Sequence, residues 1–347
     1  HHANEINPYI NYPFYNMDKQ KAYIDEAHSK GIRVKLYNTI RELSYKSHEL
    51  FALKSLGDEI LNDGEGGGHS WLQEHFKSNY HSAWHATSVN DASILNKGTS
   101  RWTNYYIEGI NWLAKNQEID GLYLDDIAFS RSTVKRIASV FDAHRESFVI
   151  DLHSANQYND RDGFINSAFL YMEHFPYISR LWFGEYFEYD LDPDYWLTEV
   201  SGIPFGLTGE MLEKGGHPYR GLVYGMTTRV YGDFNPGAIW KLFDGFDIAN
   251  AEMLGYWVDR SPIKTNHPKI KSTVYIHDDK VLISIGSWSE NNEQITLNID
   301  WEALGFDKNT VKLSSPEIKD LQPFKTYDIN KPVTVEKNQG LILVLEK

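Results

Sequence analysis

The sequence predicts a (β/α)8 barrel followed by a C-terminal antiparallel β-sandwich. Helix and strand patterns alternate over about the first 266 of 347 residues, and after Pro262 they give way to short alternating strands between polar turns. Four consecutive predicted strands also carry an acidic residue at or near the C-terminal end: Asp125, Asp151, Glu173 and Glu185. Because the carboxyl ends of parallel barrel strands converge on one mouth, where active sites form, we predict domains 1–266 and 267–347, with catalysis in the first.

The first α/β unit lies near the N-terminus. Residues 18–28 read as a helix with Asp18 as N-cap, Gly31 ends it, and residues 32–38 form a strand after a very short connection. A second short helix is expected at residues 50–56. The glycine cluster and aromatic stretch over residues 64–85 then predict a long loop over the barrel mouth.

The strand at residues 120–126 is the centre of the predicted active site. Side chains alternate along a strand, so Leu122 and Leu124 share one face and Tyr123 and Asp125 the other, with Asp126 pointing away from Asp125. A buried carboxylate must be paired, hydrogen-bonded or protonated, so a strand that ends in two of them indicates a polar cavity. Alternatively, Asp126 is the N-cap of the following helix.

The remaining elements follow the same alternation. Predicted helices lie at 102–116, 130–144, 219–230 and 236–253, and predicted barrel strands lie at 148–153, 169–174, 181–185 and 203–208. Sandwich strands are predicted at residues 272–276, 281–285, 294–299 and 340–345.

Composition excludes several classes of function. Lys plus Arg total 34 against 48 Asp plus Glu, a net charge of −14, which argues against a nucleic-acid partner. The chain has no Cys, which excludes disulfides and cysteine metal sites; this fits a periplasmic or extracellular bacterial protein, and a cytosolic one equally. No segment is long and apolar enough to predict a membrane span, and no motif calls for a cofactor.

Two segments resemble amylase-like glycoside hydrolases. Residues 24–34 resemble the helix that leads into the third barrel strand of that family, and residues 120–125 resemble its fourth strand, Asp-Gly-aromatic-Arg-apolar-Asp, with Tyr123 in place of the Arg. The resemblance implies that Asp125 is the nucleophile. The whole architecture is also similar to melibiase-type α-galactosidases. If residues 32–38 are the third strand, two strands lie upstream of residue 1, and an N-terminal segment or second chain is expected to complete the barrel.

Glycoside hydrolysis requires two carboxyl groups that flank the scissile bond. With Asp125 as nucleophile, Glu185 or Glu173 on a later strand is the candidate acid/base. The apolar surroundings of Glu185 in Trp182-Phe183-Gly184-Glu185 favour it, because desolvation keeps a general acid protonated.

Other residues are candidates for binding the sugar substrate. Asp151 and His153 face the same way on their strand and are predicted to hold a pair of sugar hydroxyls or, alternatively, to form a core pair. Arg33 lies inside a predicted strand and requires an acidic partner, which the barrel acids supply. The aromatic candidates for stacking on sugar are Tyr37, Trp71, Trp84 and Trp182.

The leading hypothesis is a retaining glycoside hydrolase that cleaves an α-linked galactose-type sugar. A second hypothesis takes the adjacent Asp125 and Asp126 as the acid pair of a substrate-assisted N-acetylhexosaminidase, in which one acid orients the acetamido group and the other protonates the leaving oxygen. A third is a non-catalytic carbohydrate-binding barrel. A fourth is a metal-dependent hydrolase whose ligands come from Asp125, Asp151, His153 and Glu173, although no compact ligand motif is present.

Overall fold

The computed structural model describes residues 4–39, 42–56, 59–61, 92–94, 100–125, 129–154, 173–183, 190–196, 207–209, 217–227 and 235–347. The chain divides into two compact units. The first unit comprises His1–Ser154 and Ser167–Leu181, and the second comprises Ala155–Asn166 and Trp182–Lys347. Within the described part of the chain, no helix is both long and apolar enough to cross a membrane.

The first unit alternates helices with parallel strands, in agreement with the predicted α/β pattern. Its elements are α1 (Met17–Ser29), β1 (Lys35–Thr39), β2 (Glu42–Leu43), α2 (Leu50–Lys54), β3 (Ala92–Ser93), α3 (Arg101–Trp112), β4 (Gly121–Asp125), α4 (Arg131–His144), β5 (Val149–Ser154) and the beginning of β6 (Arg180–Phe183). A π-helical turn, Leu113–Gln117, extends α3.

Helix ends in this unit follow local chemistry. Ser100 caps α3, because its side chain accepts a hydrogen bond from the Thr103 amide at 3.2 Å. Gly31 follows α1 with a φ of +71°, a conformation that glycine adopts without strain. The predicted N-cap of α1 is two residues off, since the cap position is Asn16 and Asp18 lies in the first turn.

Strands β1, β4 and β5 pair in parallel, and their register aligns the residues of the candidate site. Tyr37 of β1 lies opposite Tyr123 of β4, which lies opposite Asp151 of β5. Asp125, the last residue of β4, is aligned with Thr39. The chemically active side chains are therefore brought together by strand register, as a barrel requires.

The two faces of this sheet differ in character. On one face Leu36, Leu122, Leu124, Ile150 and Leu152 are buried. The residues that alternate with them are polar or aromatic and include Lys35, Tyr37, Tyr123, Asp125, Asp151 and His153. Charged side chains on a buried sheet face need hydrogen-bond or ion-pair partners, and the contacts described below supply them.

The second unit contains the remaining elements. They are β7 (Leu207–Gly209), α5 (Pro218–Val223), β8 (Met226–Thr227), α6 (Gly237–Phe246), β9 (Glu252–Leu254), β10 (Ile263–Thr265), β11 (Ile270–Ile276), β12 (Lys280–Ser287), β13 (Glu293–Ile295), β14 (Leu297–Ile299), α7 (Trp301–Leu304), β15 (Lys312–Ser315), β16 (Lys325–Tyr327), β17 (Val333–Val335) and β18 (Gly340–Glu346). Strands β7 and β8 pair in parallel.

The C-terminal strands form antiparallel sheets around one apolar core. A six-stranded sheet in the order β16-β15-β18-β12-β11-β9 is accompanied by the two-stranded sheets β10-β14 and β13-β17. The core cluster takes Val274, Ile283 and Leu343 from the large sheet, and Ile263 and Val335 from the small ones. The predicted antiparallel C-terminal domain is thus confirmed, since residues of all three sheets bury one another.

Four element predictions are corrected by the structure. The helix predicted for 219–230 ends at Val223, and strand β8 (Met226–Thr227) lies within the range predicted to be helical. Residues 173–174 were expected at the end of a strand, but residues 173–177 form a 3-10 turn. The helix predicted for 236–253 ends at Phe246, where Asp247 adopts a φ of +61°, and the chain then enters β9. The strand predicted for 294–299 is split into β13 and β14, which pair with different partners.

Candidate active site

Asp125 is held at the C-terminal end of β4 by two side chains from the neighbouring strands. The Tyr37 hydroxyl of β1 donates a hydrogen bond to Oδ2 of Asp125. From β5, Nδ1 of His153 lies 2.5 Å from Oδ1. The side chains of Asp125 and His153 are 18% and 13% exposed, so the carboxylate is screened from bulk water but remains reachable. We call these three residues the Asp125 cluster.

Tyr37 is a permanent hydrogen-bond donor in this cluster. Burial, reinforced by the negative charge of Asp125, raises the pKa of Tyr37 well above its ordinary value. Its ring stacks on that of Tyr123, with centroids 5.7 Å apart and planes inclined by 16°. The hydroxyl therefore keeps its proton at physiological pH, and the stacked ring fixes its direction.

A second group of charges lies on the same polar face, centred on Asp151. Nε and Nη2 of Arg180 donate to the two Asp151 oxygens at 3.0 and 2.8 Å, and Nζ of Lys35 pairs with Oδ2. Asp151 is only 1% exposed, whereas Lys35 and Arg180 are 29% and 34% exposed. We call these residues the Asp151 cluster. Its carboxylate is fully engaged by cations, so it acts as an internal counter-charge.

Lys35 also connects the two clusters. Its Nζ lies 5.7 Å from the centroid of the Tyr123 ring, a distance at which a cation is attracted to the ring face. The Tyr123 ring in turn supports Tyr37, which holds Asp125. Asp151 therefore contributes to the position of Asp125 through this chain of contacts.

The chemistry open to Asp125 follows from its partners. A hydrogen bond from a permanent donor such as the Tyr37 hydroxyl favours the ionised form of a carboxyl group. A carboxylate held in this form can attack, orient or stabilise a developing positive charge, but it is a poor proton donor. The general acid of a glycosidase at this site must therefore be another residue.

Three predicted site residues lie elsewhere than expected. Arg33 was expected inside a strand beside the barrel acids, but it is exposed and precedes β1, so it is at the end of the strand remote from Asp125. Glu173 was expected at a strand end, but it is exposed in the 3-10 turn of residues 173–177. Asp151 was expected near a strand end as a sugar ligand, but it lies inside β5 and is engaged by Lys35 and Arg180.

Other predicted residues fall outside the described part of the chain. These are Asp126, Glu185, Trp71 and Trp84, as well as the side chain of Trp182, whose backbone belongs to β6. The alternative role of Asp126 as a helix cap is nevertheless wrong, because α4 begins at Arg131 with Ser130 in the cap position.

Sequence analysis missed the residues that hold the site together. Lys35 and Arg180 were not singled out, although Lys35 precedes Tyr37 by two positions and thus shares its face. Asp120 was also missed: its Oδ2 accepts hydrogen bonds from Nε2 of His28 and from the Val34 amide, both at 2.7 Å. The Asp120 carboxylate therefore connects α1 and Val34, the residue before β1, to the start of β4.

A metal centre receives no support from the residues that the structure describes. Among them, no group of three or more His, Cys, Asp or Glu side chains could hold an ion. Asp125, Asp151, His153 and Glu173 were the candidate ligands, yet the first three are divided between two separate ion-pair clusters.

Comparison with solved structures shows similarity to amylase-type enzymes. The maltogenic α-amylase AmyB of Thermotoga neapolitana matches with a TM-score of 0.54 and 10% identity, over 95% of this chain and 81% of that one. The Nostoc punctiforme debranching enzyme matches with a TM-score of 0.54 and 10% identity, over 95% and 79%. At such low identity the likeness establishes the fold alone. No curated protein sequence matches the chain.

Two family models together match nearly the whole sequence. The TIM-barrel domain of glycoside hydrolase 123 matches residues 1–231, and the C-terminal domain of glycoside hydrolase 123 matches residues 235–346. The predicted barrel fold and glycoside hydrolase activity are thereby confirmed. The protein, with Asp125 at the mouth end of β4, belongs to glycoside hydrolase family 123.

Proposed function

We propose that the enzyme is a substrate-assisted N-acetylhexosaminidase in which Asp125 and Asp126 act as a pair. The observation that carries the proposal is the anchoring of Asp125, whose two oxygens are engaged separately by Tyr37 and His153. A carboxylate fixed in this way suits the task of orienting and stabilising an acetamido group, because that task requires a charged group in a set direction.

The adjacent acid, Asp126, is assigned the complementary task, which requires its side chain to reach the same pocket as Asp125 although strict strand alternation would direct the two apart. Asp126 donates a proton to the glycosidic oxygen while the acetamido carbonyl oxygen of the substrate attacks C1, and the bond from C1 to the leaving oxygen breaks. Asp125 accepts a hydrogen bond from the N–H of the resulting oxazolinium ion and balances its charge. Water then attacks C1, its proton passes to Asp126, and the acetamido group is restored.

The stereochemistry of the substrate follows from this mechanism. The acetamido oxygen reaches C1 only from the face opposite to the leaving group, so C1 and C2 substituents must be trans. The proposed substrates are therefore β-linked 2-acetamido-2-deoxyhexosides, and both displacements together retain the configuration.

A direct nucleophilic role for Asp125 is the second candidate, favoured by its position at the end of β4 and by the amylase-like sequence pattern of that strand. In that mechanism Asp125 attacks C1 of an α-linked galactose-type or related sugar, and Glu185 is the acid/base. Engagement of both Asp125 oxygens counts against it, since a nucleophile needs one oxygen directed at C1.

The test is hydrolysis of matched 4-nitrophenyl glycosides by the wild type and by Asp125→Asn and Asp126→Asn. We expect turnover of N-acetyl-β-hexosaminides and a loss of about 10³-fold or more in kcat for either variant. Turnover of α-galactosides alone would favour the mechanism in which Asp125 is the direct nucleophile. An Asp126→Asn variant as active as the wild type would rule out the mechanism in which Asp125 and Asp126 act as a pair.

A further inference from the structure

An aromatic cleft lies on the first unit away from the Asp125 cluster. It has a volume of about 670 Å³, and no residue of the Asp125 or Asp151 cluster lines it. Its aromatic walls are Tyr12, Phe14, Tyr15, Tyr105 and Trp112. A cleft of this volume has the size of known small-ligand sites.

One wall of the cleft is a stripe along α3. Tyr105, Glu108, Gly109 and Trp112 have the i, i+3, i+4, i+7 spacing of a single helix face. The buried core face of the same helix consists of other residues, among them Tyr106 and Ile110. The cleft is therefore lined by residues of α3 that do not belong to its buried core face.

The rings of the cleft are held in fixed positions. Phe14 lies edge-on to Trp112 at 6.0 Å and to Tyr12 at 5.7 Å. Gly109 makes room for Phe14, because a Cβ there would stand 3.2 Å from Cζ of that ring. Tyr15 and Trp112 nevertheless remain 55% and 38% exposed, so ring surface is presented to solvent.

The polar groups of the cleft are two carboxylates, tyrosine hydroxyls and the imidazole of His48. Glu49 and Glu108 supply carboxylates, and the lining contains neither Lys nor Arg. Ser47 Oγ donates to Glu49 at 3.1 Å, which fixes that carboxylate. Burial and the nearby Glu49 charge raise the pKa of Tyr105 above its ordinary value, so this hydroxyl keeps its proton. A phosphate or other anion would be repelled by the carboxylates of Glu49 and Glu108.

We propose that the aromatic cleft is a second carbohydrate-binding site, which takes a neutral oligosaccharide chain. The C–H face of a sugar ring stacks on the exposed Trp112 and Tyr15 rings, and its hydroxyls donate to the carboxylates of Glu49 and Glu108. Such a site holds a polymer on the enzyme without taking part in bond cleavage. It rests on membership of the glycoside hydrolase family and is independent of which mechanism Asp125 serves.

The experiment measures binding of the full-length protein to an array of neutral and charged glycans, in an Asp125→Asn background that prevents turnover. Trp112→Ala and Tyr15→Ala remove the two exposed rings. Trp240→Ala is the matched control, because Trp240 is 40% exposed on α6 and does not line the cleft. Circular dichroism verifies that each variant is folded.

We expect neutral glycans to bind, and expect binding to fall by 10-fold or more in Trp112→Ala and Tyr15→Ala but not in Trp240→Ala. When Asp125 is intact, Trp112→Ala and Tyr15→Ala should each hydrolyse small aryl glycosides at the wild-type rate. Equal glycan binding by wild-type and cleft variants would overturn the proposal, as would binding of no neutral glycan. Binding of a lysine-rich peptide that Trp112→Ala abolishes and Trp240→Ala does not would also overturn it, since the cleft would then be a cation site.

Discussion

The hydroxyl of Tyr37 donates a hydrogen bond to Oδ2 of Asp125 across the β1–β4 pair. The two residues are 88 positions apart in sequence, and parallel register alone brings them together. Because Tyr37 keeps its proton, it stabilises the charged form of Asp125 continuously. Tyr37 therefore holds Asp125 as a charged carboxylate in a fixed orientation.

Tyr37→Phe retains the stacked ring and removes only the donor. A hydrogen bond to a charged group contributes about 1.5–3 kcal/mol, so we expect kcat/KM to fall roughly 10- to 100-fold. Without the donor, Asp125 ionises at higher pH, and the acid limb of the kcat/KM profile should move upward in pH. Tyr23→Phe, on the exposed part of α1, is the control. An unchanged pH profile in Tyr37→Phe would contradict the assigned role.

Asp151→Asn should destabilise the first unit. The substitution keeps the shape but removes the negative charge that Lys35 and Arg180 share. Removal of one partner of a buried pair costs about 3–5 kcal/mol, and because both cations are about one-third exposed we expect about 2–3 kcal/mol. Thermal unfolding measures this, with the exposed Asp142→Asn as control. Equal melting temperatures of the two variants would mean that the cluster does not stabilise the fold.

Gly121→Ala tests the start of β4. At Gly121 a Cβ atom would collide with the carbonyl oxygen of Val149 on the neighbouring strand. The sheet must shift to admit it, and we expect a loss of more than about 2 kcal/mol in the free energy of unfolding, measured with urea. Gly245→Ala in α6 is the matched control. A Cβ there meets nothing within 4 Å, so that variant should be neutral or slightly stabilised.

His217 should make the second unit sensitive to acid. Its Nδ1 accepts a hydrogen bond from the Arg220 amide, and its Nε2 lies 2.7 Å from the Asn338 carbonyl oxygen, an arrangement that requires the neutral ring. Burial and the adjacent Arg220 charge lower the pKa of His217 to about 4. In the unfolded chain the His217 ring is protonated below about pH 6.5, whereas in the folded chain it is protonated only below about pH 4. The unfolded state therefore binds more protons between these values, and the folded state loses stability as pH falls from 6.5 to 4.

The expected loss from His217 approaches about 3 kcal/mol at pH 4. His217→Gln can still accept from Arg220 and donate to Asn338, but it carries no titratable group. Urea unfolding between pH 4 and 7 should therefore give a shallower pH dependence in the variant. Identical slopes in both proteins would contradict the assigned origin of the effect.

Much of the fold could be predicted from local sequence patterns. The alternation of apolar and polar residues identified the strand that ends at Asp125, and Gly31 identified the end of α1. Helix ends were less well predicted, because Asp18 and Asn16 are both acceptable caps and local sequence does not distinguish them. The domain boundary near residue 266 and the need for upstream strands remain predictions.

The site could be predicted in part. Asp125, Tyr37 and His153 were named as members of the site, although their contacts with one another were not foreseen. The ion pairs of Asp151 were not foreseen, because its partners Lys35 and Arg180 are distant in sequence and only register places them beside it. Arg33 was misjudged because the strand begins two residues later, at Lys35.

In the proposed mechanism the acetamido group of the substrate attacks C1 while Asp125 holds it. This mechanism is tested most directly by kcat/KM for 4-nitrophenyl β-hexosaminides that carry acetyl, fluoroacetyl, difluoroacetyl or trifluoroacetyl groups on nitrogen. Fluorine withdraws electrons from the attacking carbonyl oxygen, so the account predicts a steep fall in kcat/KM with each added fluorine. Rates independent of fluorine content, or hydrolysis only of substrates without an acetamido group, would contradict it.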